Sequence, residues 1–181
     1  GGYFGARLAA AGRDVTFLVR PGRAARLAEA GLSVRSPLGD FSVPAPATVT
    51  AATIPGPFDL VLLSCKAYDL DGALDDVAPA VGPDTMVLPI LNGMAHLDAL
   101  DARFGPGRVL GGSCAIAATL SPEGEIVQMS ELHALTFGER DGTRTERIAR
   151  VAALMEGTGF AARLSDKILL EMWEKWVFQI G

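Results

Sequence analysis

The chain has 181 residues, of which 49% are hydrophobic and 20% are charged, a composition typical of globular proteins. Its formal net charge of −5 argues against a nucleic-acid surface, which is normally basic. No apolar run is long enough to span a membrane, and the two cysteines and two histidines show no metal-ligand spacing. These observations favour a cytoplasmic protein with reduced thiols and without a metal site.

Helical and extended patterns alternate along the chain, which is typical of a doubly wound α/β sheet. Up to residue 112 we expect, in chain order, a helix at 2–11, a strand at 15–19, a helix at 23–30, a hairpin at 32–35 and 41–43, a buried strand at 59–65, a helix at 68–80, a buried strand at 85–91, a helix at 97–104 and a short strand at 108–110. Beyond it we expect antiparallel extended segments at 113–120, 125–129 and 134–137, a helix at 143–156, a strand at 160–164 and a helix at 167–180 that Asp166 caps.

The first helix begins on glycines and leads into an apolar strand, as in the second half of a dinucleotide-binding βαβ unit. Gly1 then corresponds to the third glycine of G-x-G-x-x-G, and we expect the native protein to continue in both directions. We predict a Rossmann-type, mostly parallel α/β domain over residues 1–165 that lacks its first strand, which would leave a gap in the sheet. Residues 166–181 would be the first helix of a truncated, all-helical C-terminal domain.

Three features at the beginning of the chain predict binding of a phosphorylated cofactor. Gly1 and Gly2 would let the backbone of a helix N-terminus approach a pyrophosphate, although close helix–strand packing would also explain them. Arg20 ends the second strand of the unit, where NAD-binding proteins carry an acidic residue and an arginine accommodates a 2′-phosphate. Arg23 and Arg26 are close enough in sequence to assist. The pattern therefore favours NADP(H) over NAD(H).

Two further groups of residues are candidates for the chemistry. Lys66 and Asn92 each follow a predicted strand, and doubly wound sheets bind ligands at the carboxyl ends of their strands. Lys175 and Gln179 are four residues apart on the last helix and share a face, beside Trp176. Lys175 could act as a proton donor or could simply extend from the edge of an interface.

Taken together, the segments GGYFGARLAAAG, VTFLVR, LLSCKAYDL, LPILNGM and MWEKWVF resemble ketopantoate reductase, that is, 2-dehydropantoate 2-reductase. The resemblance extends over nearly the whole chain. It implies an N-terminal Rossmann domain that binds NADPH and a helical C-terminal domain that completes the substrate cleft. The implied reaction reduces the ketone of ketopantoate to D-pantoate, on the route to pantothenate and coenzyme A.

The resemblance also implies a role for individual residues at the cofactor. Gly1 would close the phosphate loop, with Gly2 beside it, and Arg20 would contact the 2′-phosphate. Lys66 would lie against the adenosine half, and Ala118 would lie along the nicotinamide.

For catalysis, the resemblance implies that Lys175 protonates the developing alkoxide and that Asn92 forms hydrogen bonds near the nicotinamide and the substrate. Gln179 stands where the family commonly has a substrate-binding asparagine, so the substrate pocket is expected to differ.

Other functions remain open on the sequence alone. The chain could reduce another 2-oxo acid, or it could be related to β-hydroxyacid and glycerol-phosphate dehydrogenases. A non-catalytic, regulatory NADP-binding module is an alternative of another class. A homodimer formed through the helical domain would be compatible with all of the enzymatic alternatives.

Overall fold

The computed structural model describes the backbone of residues 1–180 and the side chains of residues 1–178. The helices are α1 (Gly2–Ala10), α2 (Pro21–Ala30), α3 (Leu70–Val77), α4 (His96–Phe104), α5 (Glu146–Met155) and α6 (Ile168–Ile180). The strands are β1 (Thr16–Leu18), β2 (Leu32–Arg35), β3 (Phe41–Val43), β4 (Ala47–Val49), β5 (Leu60–Leu63), β6 (Met86–Pro89), β7 (Gly111–Leu120), β8 (Ile126–Gly138) and β9 (Ala161–Leu164).

The predicted α/β fold class with mostly parallel strands is confirmed. β1 pairs with β4, β5 with β6 and β2 with β8, all in parallel, whereas β2 and β3 form the predicted antiparallel hairpin. The chain divides into two compact units. The first unit comprises residues 1–54, 115–134 and 154–161, and the second comprises 55–114, 135–153 and the residues from 162 onward. The predicted domain boundary at residue 165 stays a prediction.

Two strand predictions were wrong: one strand, β4, was missed, and one expected strand, at 108–110, is absent. β4 was not predicted, since its neighbourhood is rich in proline and alanine, yet it pairs with β1 from Thr16 to Leu18. Conversely, the strand expected at 108–110 is replaced by a 3₁₀ turn at Pro106–Arg108 and a single bridge from Val109 to Val87. A proline between two glycines favours a turn over an extended strand.

Three further details differ from expectation. The segments at 125–129 and 134–137 are parts of one strand, β8, because the polar residues between them continue the extended backbone. The strand β5 is only half-buried except at Leu63, and β6 is its one partner strand among the described residues. At the beginning of α6, Ser165 Oγ and not the Asp166 side chain accepts the backbone N–H of Lys167, at 2.9 Å.

The core of the first unit forms around one face of α1. Tyr3, Phe4 and Leu8 are buried, and the ring of Phe4 meets the ring of Phe160 edge to face with centroids 5.0 Å apart. Burying an aromatic side chain of this size stabilises a fold by about 1.5–3 kcal/mol. The core therefore anchors α1, and with it the glycines that begin the helix.

The core of the second unit includes strands β5 and β6, helices α3 and α4, and the first turns of α6. Its buried members are Leu63, Leu74, Val87, Leu91, Leu97, Leu100, Val109, Ile168 and Met172. Because α6 contributes Ile168 and Met172 to this core, the orientation of the helix is set by packing against the ends of the strands. None of the described helices is both long and apolar enough to cross a membrane.

A buried carboxylate joins the start of α5 to the end of β8. Glu139, whose side chain is 7% exposed, accepts hydrogen bonds of 2.6 Å from Nε and Nη2 of Arg147 and one of 2.5 Å from Thr145. The bonds from Arg147 hold the pKa of Glu139 below its ordinary value, and the bond from Thr145 adds to this effect, while burial opposes it.

We expect Arg147→Met to lower the free energy of unfolding by about 3 kcal/mol at pH 7, because the buried Glu139 carboxylate loses its cation. Since the folded pKa of Glu139 is depressed, this stabilisation is present above the ordinary glutamate pKa of about 4.3 and is lost as the pH falls below it. Urea unfolding at pH 7 and at lower pH measures both effects.

The control is Arg150→Met, because Arg150 pairs with Glu146 at 3.9 Å and both side chains are largely exposed. We expect this variant to lose well under 1 kcal/mol. Equal losses in the two variants at pH 7 would contradict the role given to Glu139.

Candidate active site in the second unit

The carboxyl ends of two neighbouring strands bring Lys66 and Asn92 to one edge of the sheet. β5 and β6 are paired in parallel with Leu63 opposite Pro89, so Lys66 and Asn92 each lie three residues beyond paired positions. Both residues are exposed. Both residues therefore lie beyond the carboxyl ends of neighbouring strands, as predicted, and ligand binding at this edge stays a prediction.

Lys175 reaches this edge from α6. It follows Ile168 by seven residues and Met172 by three, so it shares the helix face that packs into the core. Its Nζ donates a hydrogen bond of 3.0 Å to Asn92 Oδ1 and one of 2.5 Å to the carbonyl oxygen of Cys114. The two polar residues that the sequence suggested separately are thus in direct contact.

The charge of this ammonium group is not neutralised by an acid. Both of its acceptors are neutral oxygens, and no carboxylate forms an ion pair with Lys175 in the part of the chain that the structure describes. An ammonium group has three N–H donors, so one remains after these two bonds. A held, uncompensated ammonium with a spare donor is suited to stabilising negative charge that develops on an oxygen.

Trp176 packs on the turn that carries Asn92. A Cβ on Gly93 would lie 3.5 Å from Cδ1 and Nε1 of the Trp176 ring, which is ordinary van der Waals contact. The φ of Gly93 is +78°, a conformation that favours glycine. Trp173 stacks on Trp176 with centroids 5.5 Å apart. The same helix thus contacts the turn through an aromatic ring and through Lys175.

The carbonyl of Cys114 was not anticipated from the sequence, because any residue type supplies a backbone oxygen. Its position depends on a close approach of β7 to β6. A Cβ on Gly112 would lie only 2.2 Å from the carbonyl oxygen of Pro89. The Cys114 thiol also donates to the carbonyl of Ile90, at 3.4 Å. Both cysteines are free and partly buried.

The predicted phosphate-binding residues belong to the first unit. Gly1 and Gly2 are exposed at the start of α1, and the first turn of that helix carries no acidic residue. Arg20 directly precedes α2 in an extended conformation, is exposed, and has no side-chain partner among the described residues. A helix start without acidic residues and an unpaired arginine both suit an anionic ligand.

Arg23 and Arg26, which the sequence grouped with Arg20, lie at the turn that contains Gly124. Arg26 Nη2 donates to the carbonyl of Pro122, at 3.3 Å, and both guanidinium groups lie close to Gly124. Ala118 is exposed on β7. The side chain of Gln179 lies outside the described residues.

No group of His, Cys, Asp or Glu among the residues that the structure covers is arranged to hold a metal ion.

Comparison with known proteins identifies the family. A family model described as ketopantoate reductase PanE/ApbA matches residues 1–142. The chain is 39% identical over 178 residues to the uncharacterized oxidoreductase YkpB of Bacillus subtilis, a match that covers 98% of this chain and 58% of that protein. A crystal structure of 2-dehydropantoate 2-reductase from Geobacter metallireducens GS-15 matches with a TM-score of 0.89 at 32% identity, over 98% of this chain and 58% of that one. The chain therefore belongs to the PanE/ApbA ketopantoate reductase family of oxidoreductases.

A more distant structure shares the fold. It is the ternary structure of D-mandelate dehydrogenase with NADH and anilino(oxo)acetate, which matches with a TM-score of 0.82 over 96% of this chain and 56% of that one. The identity is 22%, so this match shows the fold alone. The chain spans about three fifths of the length of the curated relatives it matches.

We expect Gly112→Ala to destabilise the protein by about 1–3 kcal/mol, because its Cβ cannot fit against Pro89 without moving β7. Gly107→Ala is the matched control, since no atom lies within 4 Å of the added Cβ. Thermal unfolding of the two variants measures the difference. A Gly112→Ala protein as stable as the Gly107→Ala protein would contradict the close approach of β7 to β6.

Proposed function

We propose that the protein to which this chain belongs reduces the ketone of 2-dehydropantoate to D-pantoate, with NADPH as the hydride donor and Lys175 as the proton donor. The Geobacter relative carries the name 2-dehydropantoate 2-reductase, which supports this choice of substrate. The reaction would serve pantothenate and coenzyme A biosynthesis in the cytoplasm. The observation that carries the proposal is the contact between the Lys175 ammonium and Asn92 Oδ1 at the carboxyl ends of β5 and β6.

The contribution of the chain's own residues follows from the chemistry of carbonyl reduction. A bound reduced nicotinamide would supply the hydride, and the carbonyl oxygen of the substrate would then gain negative charge. The remaining N–H of Lys175 would donate to that oxygen and pass on the proton, while Asn92 and the Cys114 carbonyl keep the ammonium in place. Asn92 would also be available to the substrate through its amide N–H₂ group.

The residues of the first unit fit the proposed cofactor. The exposed Gly1–Gly2 start of α1 would bind the pyrophosphate, and Arg20 would pair with the 2′-phosphate that distinguishes NADPH from NADH. In the second unit, Lys66 is exposed and would be free to contact the adenosine half. Ala118 remains a proposed neighbour of the nicotinamide.

A different 2-oxo acid is the second candidate substrate. One observation favours it: Gln179 is one methylene longer than the asparagine that the family resemblance leads us to expect. The non-catalytic alternative is less favoured, because a binding module would have no need to hold Lys175 against Asn92. Assays of the full-length protein measure turnover of ketopantoate and of phenylglyoxylate, another 2-oxo acid, each with NADPH and with NADH. Turnover of phenylglyoxylate without turnover of ketopantoate would favour the second candidate, and no turnover of either would favour the non-catalytic alternative.

We expect Lys175→Ala to lower kcat for ketopantoate reduction by roughly a hundredfold or more while NADPH affinity is retained, because the proton donor is lost. Lys167→Ala is the matched control, since Lys167 is exposed at the beginning of the same helix. Steady-state rates and NADPH fluorescence titrations give the two quantities. Survival of kcat in the Lys175 variant would show that the residue is structural.

We expect Arg20→Ala to weaken NADPH binding about tenfold or more and to leave NADH binding within about twofold, because charge-assisted hydrogen bonds to the 2′-phosphate are lost. Arg144→Ala, which removes another exposed arginine, serves as the control. Equal weakening of both cofactors would mean that Arg20 does not bind the 2′-phosphate.

A further inference from the structure

Two arginines of the first unit converge on one turn. Arg23 and Arg26 are three residues apart on α2 and therefore share a face of the helix. A Cβ on Gly124, in the turn between β7 and β8, would lie 2.5 Å from Arg23 Nη1 and 3.0 Å from Arg26 Nη2. Gly124, whose φ is +87°, has no Cβ, and this absence allows both guanidinium groups to approach the turn.

Neither of these guanidinium groups is paired with an acid. Arg26 donates only to the carbonyl of Pro122, and Arg23 has no side-chain partner within the described residues. Six other arginines of the chain are paired with carboxylates: Arg35 with Glu125, Arg103 with Asp75, Arg140 with Asp101, Arg147 with Glu139, Arg150 with Glu146 and Arg163 with Glu171. Burial, and after it the charge of Arg26, lowers the pKa of Arg23. Two like charges are therefore held together without an ion pair to either of them.

The two arginines line a cavity of about 350 Å³ between α2, the start of β2 and the turn. Its charged lining residues are Arg23, Arg26, Arg35, Glu123 and Glu125, which leave an excess of one positive charge. Glu125 is neutralised by Arg35. Glu123 is fully exposed, and hydrogen bonds from its own backbone N–H and from Ser121 lower the pKa of its carboxyl more than the nearby arginines do. The cavity thus has an unpaired cationic wall.

We propose that this cavity, which we call the α2 anion site, binds a phosphate group through the guanidinium groups of Arg23 and Arg26. Guanidinium groups donate paired, charge-assisted hydrogen bonds to phosphate oxygens, and two neighbouring guanidinium groups can donate to the same phosphate. The volume leaves room for the small organic part of a phosphate monoester. Arg20, to which we assign the 2′-phosphate of the cofactor, is not among the residues that line this cavity.

The test measures the thermal midpoint of the full-length protein as inorganic phosphate replaces sodium chloride at constant ionic strength. We expect phosphate to raise the midpoint, and we expect Arg23→Gln combined with Arg26→Gln to weaken the apparent phosphate affinity about tenfold or more. Arg150→Gln is the matched control and should keep the wild-type response. The midpoint of each variant in chloride alone shows whether it is folded.

NADPH affinity separates the α2 anion site from the cofactor site. We expect the double variant to bind NADPH with an affinity within about twofold of wild type. We expect Arg20→Gln to keep the response of the thermal midpoint to phosphate, whether or not its affinity for NADPH changes. The proposal is overturned if phosphate has no effect beyond that of chloride, or if the double variant keeps the response. It is also overturned if the double variant loses NADPH affinity, because the arginines would then belong to the cofactor site.

Discussion

The chemistry that we propose for the second unit depends on the position of one ammonium group. Lys175 is held at 3.0 Å from Asn92 Oδ1 and 2.5 Å from the Cys114 carbonyl, and each contact comes from a different element. Asn92 lies beyond β6, Cys114 lies on β7, and the lysine lies on α6. The contact therefore exists only while the strands and the helix keep their packing, so the core of this unit sets the position of the ammonium group at its edge.

That packing explains how the lysine is held in place while its charge stays unpaired. Ile168 and Met172 bury one face of α6, so that the next residue on that face is directed at the strand ends. Gly112 lets β7 come close to Pro89, and Trp176 covers Gly93. Neutral acceptors orient the ammonium without cancelling its charge, which a carboxylate partner would do. An orientation fixed by folding costs nothing at the moment when charge develops on the substrate.

The sequence predicted the alternation of helices and strands because the apolar periodicities were strong, and it placed Lys66 and Asn92 at strand ends for the same reason. It failed at β4, where the surrounding proline and alanine residues obscured a strand, and at 108–110, where the apolar Val109 and Leu110 imitated one. The role of the Cys114 carbonyl could not be predicted, since a backbone oxygen carries no residue-type signal. Arg23 and Arg26 were grouped with Arg20 by their proximity in sequence, whereas the tertiary structure directs them to the turn at Gly124.

A double-mutant cycle between Lys175 and Asn92 tests most directly whether the two residues act as one catalytic unit. The rates to compare are the kcat values for ketopantoate reduction by the wild type, Lys175→Ala, Asn92→Ala and the double variant of the full-length protein. If the amide serves to hold the ammonium, the double variant should be about as slow as Lys175→Ala alone. Losses that multiply independently, or an Asn92→Ala enzyme with unchanged kcat, would contradict this account.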